Sequence, residues 1–313
     1  MTVTATKLTV ETNVAAMKMA ETMFGDGVKV LSASYEGDAR AAGIYSSGTT
    51  VAPGAVPSDS GVILSTGLAA SFTNAKGEAN ASASTSTAMK GVNNDPGMNA
   101  IAGVNTYDGA FLNASFVPVG DTLTMRLVFG SEEYLEWVSS GYNDAVGIWV
   151  NGKKISLAIG DGDISIDNIN TKSNSNLFID NGKDIVNTEM DGLTLVLTLK
   201  AHVIPGEANT IRIGIADAGD QVYDSNLLIV ADSVQTALIA NDDFIAVTTK
   251  GEATANLLAN DLLLGRSDVQ ITHLNDHAVK IGETITLGTG DKVRLNGDGS
   301  VTVFAAIEGS AVT

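Results

Sequence analysis

The sequence predicts an all-β chain: a jelly-roll-like β-sandwich with one packed N-terminal helix, followed by a small, incomplete Ig-like β-sandwich. Three observations carry this. Glycine is abundant and proline scarce, 33 against 5 in 313 residues. Short runs of Val, Ile, Leu and Thr are separated by Asn-Gly and Asp-Gly pairs, whose tolerance of positive φ closes antiparallel hairpins. A single stretch, 13–24, instead repeats apolar residues (Val14, Met17, Ala20, Phe24) at helical spacing. Thr12 is its expected cap and Gly25 its stop.

Along the chain, strands are expected at 28–34 and 61–66. A run of Ala, Ser, Thr and Asn over 69–89 then reads as a long surface excursion. Further strands are expected at 110–117, 122–129, 145–150, 194–201, 210–216 and 226–231, with turns at Asn151-Gly152, Asn181-Gly182 and Asp191-Gly192. Together they define a first domain over 1–236. After a joint at 236–243 the pattern restarts with shorter strands at 244–248, 269–274, 292–295 and 300–304, the last pair joined through Asn296-Gly297. This second domain, 237–313, is shorter than the roughly 100 residues of an Ig-like sandwich. Two strands are therefore expected to be missing or supplied from elsewhere.

Thirty-six acids against 18 bases give a net charge of −18. A field of that sign repels phosphate backbones and anionic lipid, so neither a nucleic-acid partner nor a membrane surface is expected. No run reaches the roughly 18–20 apolar residues of a membrane-spanning helix, and the N-terminus lacks a cleavable signal-peptide pattern. Cysteine is absent, which removes disulfides, thiolate metal sites and thiol catalysis.

Five separated segments carry a resemblance. They are Ser60-Gly-Val-Ile-Leu-Ser-Thr-Gly67, Tyr107-Asp108, Val128-Phe-Gly-Ser-Glu-Glu-Tyr-Leu-Glu-Trp-Val138, Gly141-Tyr-Asn-Asp-Ala-Val-Gly147 and Ile215-Ala-Asp-Ala-Gly-Asp-Gln-Val-Tyr-Asp-Ser225. In this order and spacing they resemble the choice-of-anchor L domain of large bacterial surface and secreted proteins, with Leu135 standing where the family pattern usually has proline. Ala240-Asn-Asp-Asp243 and Asn256-Leu-Leu-Ala-Asn-Asp261 are similar to bacterial cadherin-like or Ig-like adhesin repeats. The resemblance implies an extracellular or cell-surface protein without established enzymatic activity; with no leader pattern and a Cys-free, acidic composition, export without a cleaved N-terminal signal peptide is expected.

Calcium takes six to eight oxygen ligands from carboxylates, amides and main-chain carbonyls, and this chain concentrates such groups at strand ends. Glu132 and Glu133 open the loop after the strand 122–129, and Asn143 and Asp144 close it. Asp217, Asp220 and Asp224 follow the strand 210–216. If both loops share one end of the sandwich, their carboxylates need a counter-charge. Asn241, Asp242 and Asp243, with Asn260 or Asp261, form a second candidate calcium set at the joint. The same residues also suit turns, through side chain to backbone hydrogen bonds. Asp161-Gly-Asp-Ile-Ser-Ile-Asp167 fails the EF-hand spacing, with Ile166 and Lys172 where Gly and Glu are required.

No nucleophile elbow, phosphate loop or helical zinc pair is present, and His202, His273 and His277 do not form a ligand set. Glu132 and Glu133 as a glycosidase pair would point to opposite faces of an extended segment. Binding rather than turnover is expected: a calcium-stabilised adhesion or biofilm-matrix protein whose partners are surface glycans or other subunits. Tyr134, Trp137, Tyr142 and Trp149 are either a sugar-stacking platform or core edge. The alternative is a filament subunit, in which the alternating segment Val3 to Glu11 completes a neighbour's sheet.

Overall fold

The computed structural model describes residues 3–157, 160, 162–236, 243–248, 251–259, 261, 269–275, 277–306 and 311–312. The chain divides into two compact units, 1–236 and 237–313. In the first, the strands are β1 (Thr9–Thr12), β2 (Val28–Glu36), β3 (Ala42–Ser46), β4 (Gly61–Ser65), β5 (Thr106–Pro118), β6 (Thr122–Ser131), β7 (Ala145–Val150) and β8 (Lys153–Lys154). They continue as β9 (Ile164–Ser165), β10 (Phe178–Asp180), β11 (Gly192–Thr194), β12 (Leu197–His202), β13 (Asn209–Ala218), β14 (Ser225–Val230) and β15 (Gln235–Thr236). The helices are α1 (Ala16–Met23), α2 (Gly48–Val51) and α3 (Pro96–Ala102).

Two antiparallel sheets face each other. One runs β1-β3-β4-β14-β6-β11-β10, with β12 and β15 also paired to β6; the other runs β2-β5-β13-β7-β8, with β9 on β7. The side-chain period of two sets what lies between them. Leu123, Met125, Leu127 and Phe129 of β6 point inward, as do Ile211, Ile213 and Ile215 of β13 and Val146, Ile148 and Val150 of β7. The opposite parity of the larger sheet (Ile63, Val128, Leu193, Leu228) builds a second apolar layer with Leu8, Phe72 and Met190. The larger sheet is thus buried on both faces, which explains why β4 and β14 read as unbroken apolar runs.

Several expectations shift. The helix begins at Ala16, not Asn13: Thr12 belongs to β1, Asn13 turns the chain at φ +58°, and Ala15 at the N-cap offers no side-chain bond. Its buried residues are Met19, Ala20 and Met23. The strand expected over 194–201 is broken, because Leu195 and Val196 are exposed between β11 and β12. Asn151 and Gly152, at φ +51° and +74°, do form the tight β7–β8 hairpin, whereas Asp191-Gly192 leads into β11. The excursion over 69–89 is less superficial than its composition suggests: Phe72, Ala79 and Met89 are buried.

The segment Val3 to Glu11 is engaged within its own chain. Val3 N–H donates to Asp184 (3.0 Å) and Ala5 N–H to Gly77 (3.2 Å). Leu8 N–H donates to Thr73 Oγ1 at 2.7 Å, and β1 pairs with β3. Donating this strand to a neighbour requires releasing those bonds.

In the second unit, Glu252–Ala255, Val301–Phe304, Lys292–Leu295 and Thr284–Thr286 form a four-stranded antiparallel sheet, in that order. Ile245–Ala246 pairs with Ala311–Val312, and His273–Leu274 with His277–Ala278. Val247, Val293, Leu295, Val301 and Val303 supply its core.

Candidate functional site

Register brings five strand ends to one end of the sandwich. Ser225 of β14 lies opposite Ser131 at the end of β6, and Ala216 of β13 opposite Ala145 at the start of β7. Ala218 of β13 pairs with Thr106 at the start of β5. The β13–β5 register slips between Ile215 and Asp217, where Asp108 takes φ +46°, a bulge of the kind that re-aims side chains.

The acids follow the strand parity. Asp217 continues the inward row of Ile213 and Ile215, Asp144 that of Val146, and Glu133 that of Phe129 and Ser131. Their carboxylates therefore enter the end of the apolar interior, and Glu133, Asp144 and Asp217 are all at most 2% exposed. Asp144 is held on both oxygens: Oδ1 accepts from Ala218 N–H at 2.9 Å and Oδ2 from Ser225 Oγ at 2.7 Å. Asp217 lies beside it, close enough for the two to share a proton, and its Oδ1 has no hydrogen-bond partner; neither does Glu133 Oε2. Burial, then the charges of Asp144, Asp220 and Glu136, pushes Glu133 up to about 9. Burial likewise raises Asp144 and Asp217, the latter further through Asp144.

Asp224 lies near Asp217. Its Oδ1 accepts from Thr87 N–H at 2.7 Å, Oδ2 has no partner, and burial above all raises it to about 6. Its neighbour Asp108 accepts from Met89 N–H (2.9 Å) and Gln221 Nε2 (3.1 Å). Asp224 packs against Gly67, where a Cβ would collide with the carboxylate. Gly67→Ala is therefore expected to displace Asp224 and lower stability by about 1–3 kcal/mol, measured by thermal denaturation.

Glu132 has the opposite parity to Glu133 and enters the outer apolar layer, away from the others. It is fully buried. Its neighbours are Asp191 and Glu189, and burial followed by their charges raises it to about 10. Asp191 itself, raised chiefly by burial to about 6, accepts from Asn80 Nδ2.

The structure therefore brings together Glu133, Asp144 and Asp217, with half-buried Asp220 near Glu133, sets Asp224 beside them, and separates Glu132. Asn143 serves the loop instead: its Oδ1 accepts from Asp167 N–H at 3.0 Å and its Nδ2 donates to Ala102 O at 3.4 Å. Asn241, Asp242, Asn260 and Asp161 lie outside the described residues; Asp243 is half-buried. Asp108, Asp191, Glu189 and Asn80 were missed as site residues. Asp108 carried a signal, as part of the Tyr107-Asp108 motif. Asp191, followed by Gly192, reads in the sequence as a turn former. Among the described residues, no three His, Asp or Glu side chains form a ready-made metal cage.

The aromatic residues separate too. Tyr134 is core, 1% exposed, while Trp137 stacks edge-on to Tyr142 at 5.3 Å and lies 6.1 Å from Tyr223. Trp149 faces the outside of the smaller sheet. There a groove of about 710 Å³ is lined by Ser32, Ser34, Asp95, Asn113, Trp149 and Arg212. Arg212 lies 3.8 Å above the Phe111 ring and 5.2 Å from Trp149, and its Nη2 bonds Asp95 Oδ2 at 2.7 Å.

A family model described as the choice-of-anchor L domain matches residues 3–235. Comparison with curated proteins and with solved structures finds no match.

Proposed function

Because this chain belongs to the choice-of-anchor L domain family, of bacterial cell-surface and secreted proteins, we propose that it is a calcium-stabilised adhesion or matrix module that acts by binding. One observation carries the calcium: Glu133, Asp144 and Asp217 are buried together with no cationic side chain among their interactions, and Glu133 and Asp217 each keep an oxygen without a partner. Buried carboxylates either stay protonated or take a counter-cation. A hard divalent ion suits this chamber because its donors are all oxygens, and main-chain carbonyls and water complete such a shell around few carboxylates. Glu133 and Asp217 have the free oxygens, with Asp144 and Asp220 beside them.

For the binding surface we assign the Trp149 groove to a glycan. Its ring, the planar Asp95–Arg212 pair, the Asn113 amide and the flanking hydroxyls match the mix of apolar face and fixed polar groups that orients a polyhydroxylated ligand. Glycan-array binding without turnover is the expected result, lost in Trp149→Ala measured below its melting temperature, which should fall because the ring also packs on the Met98 and Phe111 cluster. Binding that survives this substitution would move the ligand elsewhere. Calorimetric titration with calcium chloride after chelation tests the metal, and no heat at constant ionic strength would refute it. The filament alternative has less support, since the donor segment Val3 to Glu11 is bonded within its own chain.

A further inference from the structure

Among the described residues, Glu132 is the acid whose two carboxylate oxygens are both buried without a partner. It is fully buried, and neither carboxylate oxygen has a partner in good hydrogen-bond geometry. The amide and hydroxyl of Thr85 face it and offset only part of its burial. The carboxylates of Asp191 and Glu189 are its electrostatic neighbours, both less than 8% exposed. One cation is nearby: Lys7 interacts with Glu189, but its Nζ donates to the carbonyls of Ala70 and Thr73 and is not among the groups acting on Glu132 or Asp191.

The excursion crosses this point. Asn80 donates through Nδ2 to Asp191 Oδ1, which leaves its own Oδ1 buried without a partner beside the same acids. Ala81 N–H donates to Glu189 Oε2 at 2.9 Å and Asn80 N–H to Asp184 Oδ1 at 2.9 Å. An amide oxygen and a carboxylate thus lie unpaired and buried on two segments that no covalent connection brings together. A cavity of about 460 Å³, lined by Lys7, Thr73, Ser82, Thr85 and Glu189 among others, opens beside Thr85 and Glu189, the two neighbours of Glu132 that it shares.

We propose that Glu132, Asp191 and the side-chain oxygen of Asn80, with the Thr85 hydroxyl, hold a divalent cation of calcium type, separate from the one assigned to Glu133, Asp144 and Asp217, and that this ion latches the 69–89 excursion onto the larger sheet. The inference shares the kind of ion with the previous reading but not its residues, since strand parity sends Glu132 and Glu133 to opposite faces of the same sheet. The latch ties a low-complexity segment, poor in apolar anchors, to the external calcium level. In its absence the excursion is held by Phe72, Ala79 and Met89 and by hydrogen bonds to acids that repel one another.

The test titrates the full chain with calcium chloride in a calorimeter and follows tryptic cleavage at Lys76, exposed in the excursion, and at Lys90, exposed directly after it. The wild type is expected to bind two equivalents. Glu132→Gln should lose one of them, and Asp217→Asn the other. At calcium ten times its dissociation constant, cleavage of the wild type and of Asp217→Asn should slow about tenfold by mass action, while cleavage of Glu132→Gln should not respond. Asn80→Ala, which leaves both sheets intact, should repeat the loss if Glu132→Gln does not fold. A Glu132→Gln or Asn80→Ala protein with two equivalents and calcium-sensitive cleavage overturns the latch. Asp217→Asn with both equivalents overturns the other site alone, so the two failures are distinguishable.

Discussion

In a chelating buffer the melting temperature is expected to fall as the pH rises from about 5 to about 8, and millimolar calcium is expected to reverse the fall. Burial raises Glu132 to about 10 and Glu133 to about 9, whereas the unfolded chain releases these protons near about 4.3. The folded state then binds more protons than the unfolded state throughout the neutral range. Stability is fully present below the unfolded values and is lost as the pH climbs towards the folded ones. Each retained proton contributes a slope of about −1.4 kcal/mol per pH unit, so two glutamates give about −3 kcal/mol per unit. Against a total of roughly 5–15 kcal/mol for a typical domain, that slope is ruinous at neutral pH unless something replaces the protons. Under the proposed reading a bound calcium ion takes their place, and because it would compete with protons for the same oxygens its stabilisation should grow with pH. Scanning calorimetry at fixed ionic strength reads both trends. A chelated protein whose melting temperature is flat over this range, or a calcium effect no larger at pH 8 than at pH 6, would exclude ionised carboxylates as ligands.

Much of this arrangement is legible in the sequence, and the rest is not for identifiable reasons. The strands were readable because their inward rows are long and apolar; β6, β7, β13 and β14 fall within two residues of their expected ends. β3 escaped because Ala42, Gly43 and Ser46 lack β-branched side chains, and tertiary pairing on β4 overrides propensity there. The inward direction of Asp144 and Asp217 follows from period-two counting along their strands, so their burial could be anticipated. The same counting sends Glu132 and Glu133 to opposite faces of the sheet. What no local pattern shows is the partner of Glu132. Glu189 and Asp191 lie more than fifty residues from it in sequence, and Asn80, which bonds Asp191, sits in an excursion whose composition suggests solvent exposure. Asp191 is camouflaged by the glycine after it, since the pair reads as a hairpin turn while Gly192 begins β11.

Two neighbouring aspartates are expected to respond to substitution with opposite signs in the absence of metal. Asp144 accepts from Ala218 N–H and Ser225 Oγ in a dry interior. Asp144→Ala leaves both donors without acceptors, at about 1–3 kcal/mol each. A loss of about 2–5 kcal/mol should therefore appear with or without calcium, lowering the melting temperature by roughly 2–4 °C per kcal/mol for a domain of this size. Asp217 has a free oxygen and raises the charge density beside Asp144. Asp217→Asn keeps the shape, removes the repulsion and forfeits a ligand. In chelator near pH 8 it should melt at or above the wild type, while calcium should raise its melting temperature less than that of the wild type, through the latch ion alone. Paired thermal scans of the two variants separate a carboxylate that organises strand ends from one that awaits a cation. If Asp217→Asn is as damaging in chelator as Asp144→Ala, or keeps the full calcium response, Asp217 is a structural acid sharing its partner's proton, and the chamber needs no metal.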